Sequence, residues 1–174
     1  MRKRTIAREY ALQVLYSIDI TNESYEIAIN NFWQFIGKED IDKDIREFTE
    51  GLVKLVVQYK DTVDQRIAKY ATNWELERMA VVDRNIMRLG GCELLYRKDI
   101  PPKVSINEAV ELAKAQLERD SDIELVFAML DWGLRTGSDS VQTRSFGADL
   151  AMLAGDLDRA IEHMEHAALL APGS

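Results

Sequence analysis

Four cations crowd the start of the chain: Arg2, Lys3, Arg4 and Arg8 all fall within RKRTIAREYALQVLY, residues 2–16. If this stretch is an amphipathic helix, Arg4 and Arg8 lie one turn apart at the margin of its apolar stripe, where they can project together from the edge of a bundle. Guanidinium groups so placed suit a phosphate backbone, through bidentate, charge-assisted hydrogen bonds. The placement opposes the helix itself, because a helix N-terminus carries partial positive charge and each cation there costs roughly a few tenths of a kcal/mol at low salt. Two readings stand at this level: a phosphate-gripping cluster, and an ordinary charged N-terminus.

Other residues offer less chemistry. His163 and His166 are three apart and can meet on one helix turn beside Glu162 or Glu165; an exposed polar face explains them better than a metal site. The acid pairs Glu39-Asp40 and Asp42-Asp44 read as solvated groups opening a helix, where negative charge suits the dipole. There is no Gly-rich phosphate loop after a strand, no H-E-x-x-H, and no Ser or Cys with a nearby His base. The expectation is a binding protein, not an enzyme, with no catalytic residue, cofactor or metal.

Composition sets the frame for that cluster. The chain has 174 residues, a formal net charge of -8 and a sequence pI near 4.9, so its overall field repels nucleic acid and any RNA or DNA contact must be local. The single cysteine, Cys92, excludes an intrachain disulfide framework and a multi-cysteine zinc site, and reads as a small core residue in a reducing cytoplasm. No apolar run reaches the length of about 18 residues that a membrane helix needs, and no signal peptide is evident. The expectation is a soluble, unexported protein without a membrane partner.

The elements that must position the cations are helical throughout. Three prolines, nine glycines and no sustained period-two alternation predict an all-α fold. A first helix over residues 4–19 turns Ala7, Ala11, Val14, Leu15 and Ile18 to one face. A second carries Ile27, Ile29, Phe32, Trp33 and Phe35 and stops at Gly37, a residue suited to the left-handed position after a helix. In the third, Ile41, Ile45, Phe48, Leu52, Leu55 and Tyr59 form a core-facing stripe, with a separate short segment around Val63, Ile67 and Tyr70 behind it. The capping box Thr72-Asn73-Trp74-Glu75 predicts a helix from there to Tyr96, with Met79, Val82, Ile86 and Leu89 inward; its Gly90-Gly91 pair signals close packing or a kink. Ile100-Pro101-Pro102 breaks the chain, and a second capping box, Ser105-Ile106-Asn107-Glu108, predicts the next helix start. A further helix is expected over 122–135, then a polar linker over 136–145. Residues 137–174 hold six acidic and two basic side chains, half of the net negative charge.

Three stretches carry a family resemblance: AREYALQVLYSID (7–19), WELERMAVVDRNIMRLGGCELLYRKDIPPKVSINEAVELAK (74–114) and, less well, LVFAMLD (125–131). Together they resemble the NusB family of bacterial transcription antitermination factors over residues 1 to about 134; IPPKVSINEAVELAK, a double-proline break run straight into a helix, is the most specific part. The resemblance implies two packed helical bundles that bind boxA-type RNA together with the small-subunit ribosomal protein NusE, helping RNA polymerase through ribosomal RNA operons. It assigns RNA contact to Arg4 and Arg8, and also to Arg2 and Lys3. The partner-protein surface carries over to Tyr16 and Asp83, which by themselves read as a half-buried aromatic and a surface carboxylate. Such proteins are monomers or homodimers.

The sequence departs from the family in two places. Leu125, Phe127 and Ala128 replace a Phe, an Asn and a Gly of the family's last helix, removing an amide that can bond a nucleotide and a site of close backbone approach. An alanine-rich tail then extends beyond the family's usual end, with Gly155-Asp156, Ala160, Met164, Ala167 and Pro172 spaced as in one tetratricopeptide repeat. The expected organisation is an RNA-binding helical domain over 1–135, a linker over 136–145 and a helical tail, a hairpin or single helix, over 146–174. The alternative function is a helical protein-interaction module that keeps this fold without RNA binding. A NusB-like domain of an RNA methyltransferase ranks last, since no βαβ nucleotide-binding region follows.

Overall fold

The computed structural model describes residues 2–37, 41–70, 75–117, 144, 148 and 157–171. All its regular elements among these are helical: α1 (Arg2–Thr21), α2 (Tyr25–Ile36), α3 (Lys43–Tyr70), a 3-10 turn (Leu76–Arg78), α4 (Val81–Tyr96), α5 (Pro102–Leu117) and α6 (Leu157–Leu170). The chain forms two compact units, Met1–Lys98 and Asp99–Ser174. The expected helix over 122–135, with Leu125, Phe127 and Ala128, lies outside the described residues, as does most of the linker over 136–145.

In the first unit α1 packs on α2, α3 and α4. Small residues set its approach to α3: Ala7 and Ala11 are fully buried, and the buried Thr49 hydroxyl lies 2.8 Å from the Ile45 carbonyl and 3.2 Å from that of Ala7. Asn22, at φ 56, turns the chain after α1; its short polar side chain tolerates this left-handed conformation. Ser24 caps α2 by accepting from the Ile27 amide, and Gly37 ends it at φ 84, as its sequence position suggested. Tyr10, Phe32 and Trp33 meet edge to face and tie α2 to α1.

Three expectations are corrected. First, α3 is one continuous helix to Tyr70, with no separate segment at Val63. Its fully buried face is Thr49, Leu52, Val53, Val56, Val63 and Ile67, rotated by about one residue from the expected stripe. Phe48, Leu55 and Tyr59 sit on its flank, where long aromatic side chains reach neighbours: Tyr59 stacks on Tyr96 at 3.8 Å between ring centroids.

Second, α4 starts at Val81, not at the Thr72 capping box, whose first three residues lie outside the described residues. The 3-10 turn closes through bonds from the Arg78 and Met79 amides, Met79 is extended and Ala80 non-helical, and the buried Met79 side chain anchors the turn. Arg84 Nη1 donates to the Leu76 carbonyl and ties the turn to the first turn of α4, while no side chain caps the α4 amides. The helix runs unbroken through the buried Gly90-Gly91 pair, which supports close packing over a kink.

Third, α5 starts at Pro102, not Ser105. Pro101 supplies the first accepting carbonyl, to Val104 at 2.8 Å and Ser105 at 3.3 Å, and Pro102 takes the first helical position, where its missing amide costs nothing. Ser105 is therefore inside the helix and buried. In α6 of the second unit, Ala160, His163 and Ala167 are buried while His166 is exposed. His163 thus departs from the exposed polar face expected of both histidines, and its Nδ1 lies 3.5 Å from Arg144.

Candidate nucleic-acid interface

The start of α1 has no acidic residue in its first turn, so its cations need partners from elsewhere. Lys3 finds them at the start of α3. Lys3 Nζ lies 2.6 Å from an Asp42 carboxylate oxygen and 3.2 Å from one of Asp44, all three groups being solvent-accessible. Asp42 also accepts from the Asp44 amide at 2.9 Å, which fixes the carboxylate at the helix start. Its hydrogen bond to Lys3 holds the Asp42 carboxyl below the usual carboxylate range, and the same bond raises the Lys3 ammonium. The acid pair read as merely solvated is thus the counterion of Lys3.

Beside this contact is an open cleft of about 510 Å³ lined by Lys3, Arg4, Asp44, Glu47, Phe48 and Arg97. Phe48 is its aromatic centre: the Arg4, Arg8 and Arg97 guanidinium carbons lie 5.1, 5.4 and 4.9 Å from the ring centroid, within cation–π range. Cations around an aromatic ring match the needs of single-stranded nucleic acid, which offers phosphates and flat base faces together.

Arg8 does not project from the bundle as the spacing suggested. It is 3% exposed, and its Nε and Nη2 donate to both Glu93 oxygens at 2.8 and 3.0 Å. Arg8 lies among the buried Ala7, Ala11 and Leu15 of α1, and Glu93 of α4 meets it there, so its charge is neutralised inside the protein. Arg2, Lys3 and Arg4 remain exposed. The structure therefore joins Lys3 and Arg4 at one cleft and separates Arg8 from solvent.

The far end of α1 holds a second charged assembly. Asp19 accepts from Arg88 Nη1 at 2.9 Å, Asn85 at 3.2 Å and Arg84 at 3.3 Å, with Lys60 at 3.6 Å. Arg88 also forms a bidentate pair with Asp64, both distances 2.7 Å. Burial tends to raise the Asp19 carboxyl, but Arg88, Lys60 and Arg84 outweigh it and leave it lowered. One turn before Asp19–Ile20, Tyr16 is 43% exposed, a ring available to a partner; Asp83, expected at the surface, is 5% exposed. Cys92 is fully buried, and burial pushes its thiol up to about 12, in keeping with a core role.

Sequence reasoning missed Phe48, Arg97 and Glu93. Phe48 was absorbed into a core stripe, although a large aromatic at the edge of a stripe can serve a surface. Arg97-Lys98 is a basic pair directly after α4 and was the available signal. Nothing local marks Glu93, 85 positions from its partner.

The NusB family matches residues 5–132. The transcription antitermination protein NusB of Anaeromyxobacter dehalogenans is 48% identical over 112 residues, covering 64% of this chain and 77% of that protein. That of Thermodesulfovibrio yellowstonii is 39% identical over 127 residues, covering 68% and 83%. A crystal structure of antitermination factors NusB and NusE in complex with dsRNA superposes with a TM-score of 0.66 at 26% identity, covering 79% of this chain and 98% of that one. Among the described residues, no helix is long and apolar enough to cross a membrane.

Proposed function

The chain belongs to the NusB family, and from that premise we propose that it is a transcription antitermination factor that binds boxA-type RNA together with the small-subunit ribosomal protein NusE. In the RNA polymerase antitermination complex it promotes ribosomal RNA transcription, by binding without turnover, in the cytoplasm. The family match over residues 5–132 carries this reading. The cleft at the start of α1 supplies the physical means: Lys3 and Arg4 meet phosphates there, Phe48 with Arg97 adds an aromatic, cationic wall, and the exposed Arg2 adds charge from the same helix turn. Arg8 acts from beneath, holding α1 to α4 through Glu93. Tyr16 offers the ring that meets the partner protein, while Asp83, which the family resemblance assigns to the same surface, is buried in α4 and offers its carboxylate little access.

The acidic whole repels RNA while one local cluster attracts it, so binding by this chain alone is weak and the partner adds affinity and selectivity. Titration of boxA-type and scrambled RNA, with and without NusE and at two salt concentrations, tests the reading. Sequence-selective, NusE-enhanced binding that weakens with salt is expected. Equal, feeble binding to both RNAs overturns it.

The same reading divides the chain into an RNA-binding body over 1–135, a linker over 136–145 and an appended tail over 146–174. Deleting residues 137–174 is expected to leave RNA affinity unchanged; a loss of affinity would assign the tail to the RNA-binding body.

A further inference from the structure

Resting on the RNA-binding reading above, we infer that Asp42 and Asp44 are an internal substitute for phosphate: they hold the Lys3 ammonium in the free protein, RNA must displace them, and they set the affinity of the cleft. Two carboxylate oxygens at 2.6 and 3.2 Å from one ammonium reproduce what two non-bridging phosphate oxygens would offer it. The acids are placed by the fold, because α3 is joined to α1 at Thr49 and Ala7, and Asp42 is fixed by its bond to the Asp44 amide.

The arrangement is exchangeable. Lys3 is 55% exposed in its side chain, Asp42 39% and Asp44 76%, and ion pairs so exposed are weak. The buried Arg8–Glu93 pair, by contrast, offers its cation to no outside ligand. Released from Lys3, the two carboxylates keep a favourable place at the N-terminal end of α3, so displacement leaves them stable. They then stand beside the incoming phosphates with Glu47, which lines the same cleft, and repel them. The acids therefore weaken binding twice: they occupy Lys3 before RNA arrives and oppose phosphate afterwards.

The test uses the full chain, labelled single-stranded boxA-type RNA, and the double variant Asp42→Asn/Asp44→Asn. Asparagine keeps the oxygen that accepts the Asp44 amide, so the helix start is preserved. The double variant is expected to bind RNA about threefold to tenfold more tightly at low salt, with a log–log salt slope steeper by about one. A charge-matched control, Asp61→Asn/Glu77→Gln, neutralises two exposed acids elsewhere on the same unit and is expected to change affinity far less. Lys3→Ala is expected to cost more in the double variant than in the unsubstituted chain, since only there is Lys3 wholly given to RNA.

A gain no larger than the control's, or an equal Lys3→Ala effect in both backgrounds, overturns the inference. If the unsubstituted chain shows no selective RNA binding even with NusE, the functional reading itself fails, a distinct outcome.

Discussion

The two ends of α1 are charged against the helix dipole in the same way and resolved in opposite ways. The N-terminal turn carries Arg2, Lys3 and Arg4, and the last turns carry Asp19, so both ends place the unfavourable sign of charge. At the first end the compensating acids, Asp42 and Asp44, sit in solvent and hold one flexible lysine. At the other, arginines fixed on α4 enclose Asp19, and Arg88 joins it to Asp64 of α3. An exposed pair can be traded for a ligand. A buried one cannot, because separating it leaves a charge without water.

Breaking the buried pairs should have the largest effects. Glu93→Ala strands the Arg8 guanidinium against α4 and is expected to destabilise the fold by about 3–5 kcal/mol in denaturant unfolding. A cost below about 1 kcal/mol would show that Arg8 can swing to solvent, which would return it to the list of RNA ligands.

Arg88→Ala leaves Asp19 and Asp64 without their main partner and is expected to cost about 2–3 kcal/mol at neutral pH. Its pH dependence sharpens the contrast. The Asp19 carboxyl is lowered in the folded state, so its contribution is complete above the unfolded value near 3.9 and disappears as pH falls through the folded value. The unsubstituted chain should therefore lose stability on acidification below about pH 4, and Arg88→Ala should lose less over that window. Parallel acid profiles would refute the role given to Arg88.

Smaller effects belong to the exposed end. Arg4→Ala should leave stability nearly unchanged, weaken boxA-type RNA binding about fivefold and reduce the salt slope by about one. An unaltered slope would remove Arg4 from the phosphate contacts. Lys3→Ala, smallest of all, should shift folding stability by less than about 0.5 kcal/mol, since an exposed pair contributes little. A larger loss in thermal or denaturant unfolding would make the Lys3–Asp42 contact structural instead of exchangeable.

Legibility from sequence followed the range of the interaction. The apolar face of the first helix, the stop at Gly37 and the break at Pro101-Pro102 were readable, because each depends on residues a few positions apart. The two capping boxes were misleading for the same reason: Thr72 and Ser105 match the local motif, but the buried Met79 anchor and the Pro101 carbonyl set the helix starts instead. Arg4 and Arg8 looked equivalent on a helical wheel. They differ because α4 brings Glu93 against one and leaves the other beside an open cleft.

The sequence by itself determined that the chain is helical, that its cations gather at the start of the first helix, and which family its segments match. Those properties live in composition, periodicity and short-range order, which need no fold to be read. Only the tertiary structure decided which cations face solvent, which acids answer them, and that Phe48 and Arg97 join Lys3 and Arg4 at one cleft. A charge's role depends on its distance to other charges and to water, and folding sets both between residues as far apart as Arg8 and Glu93.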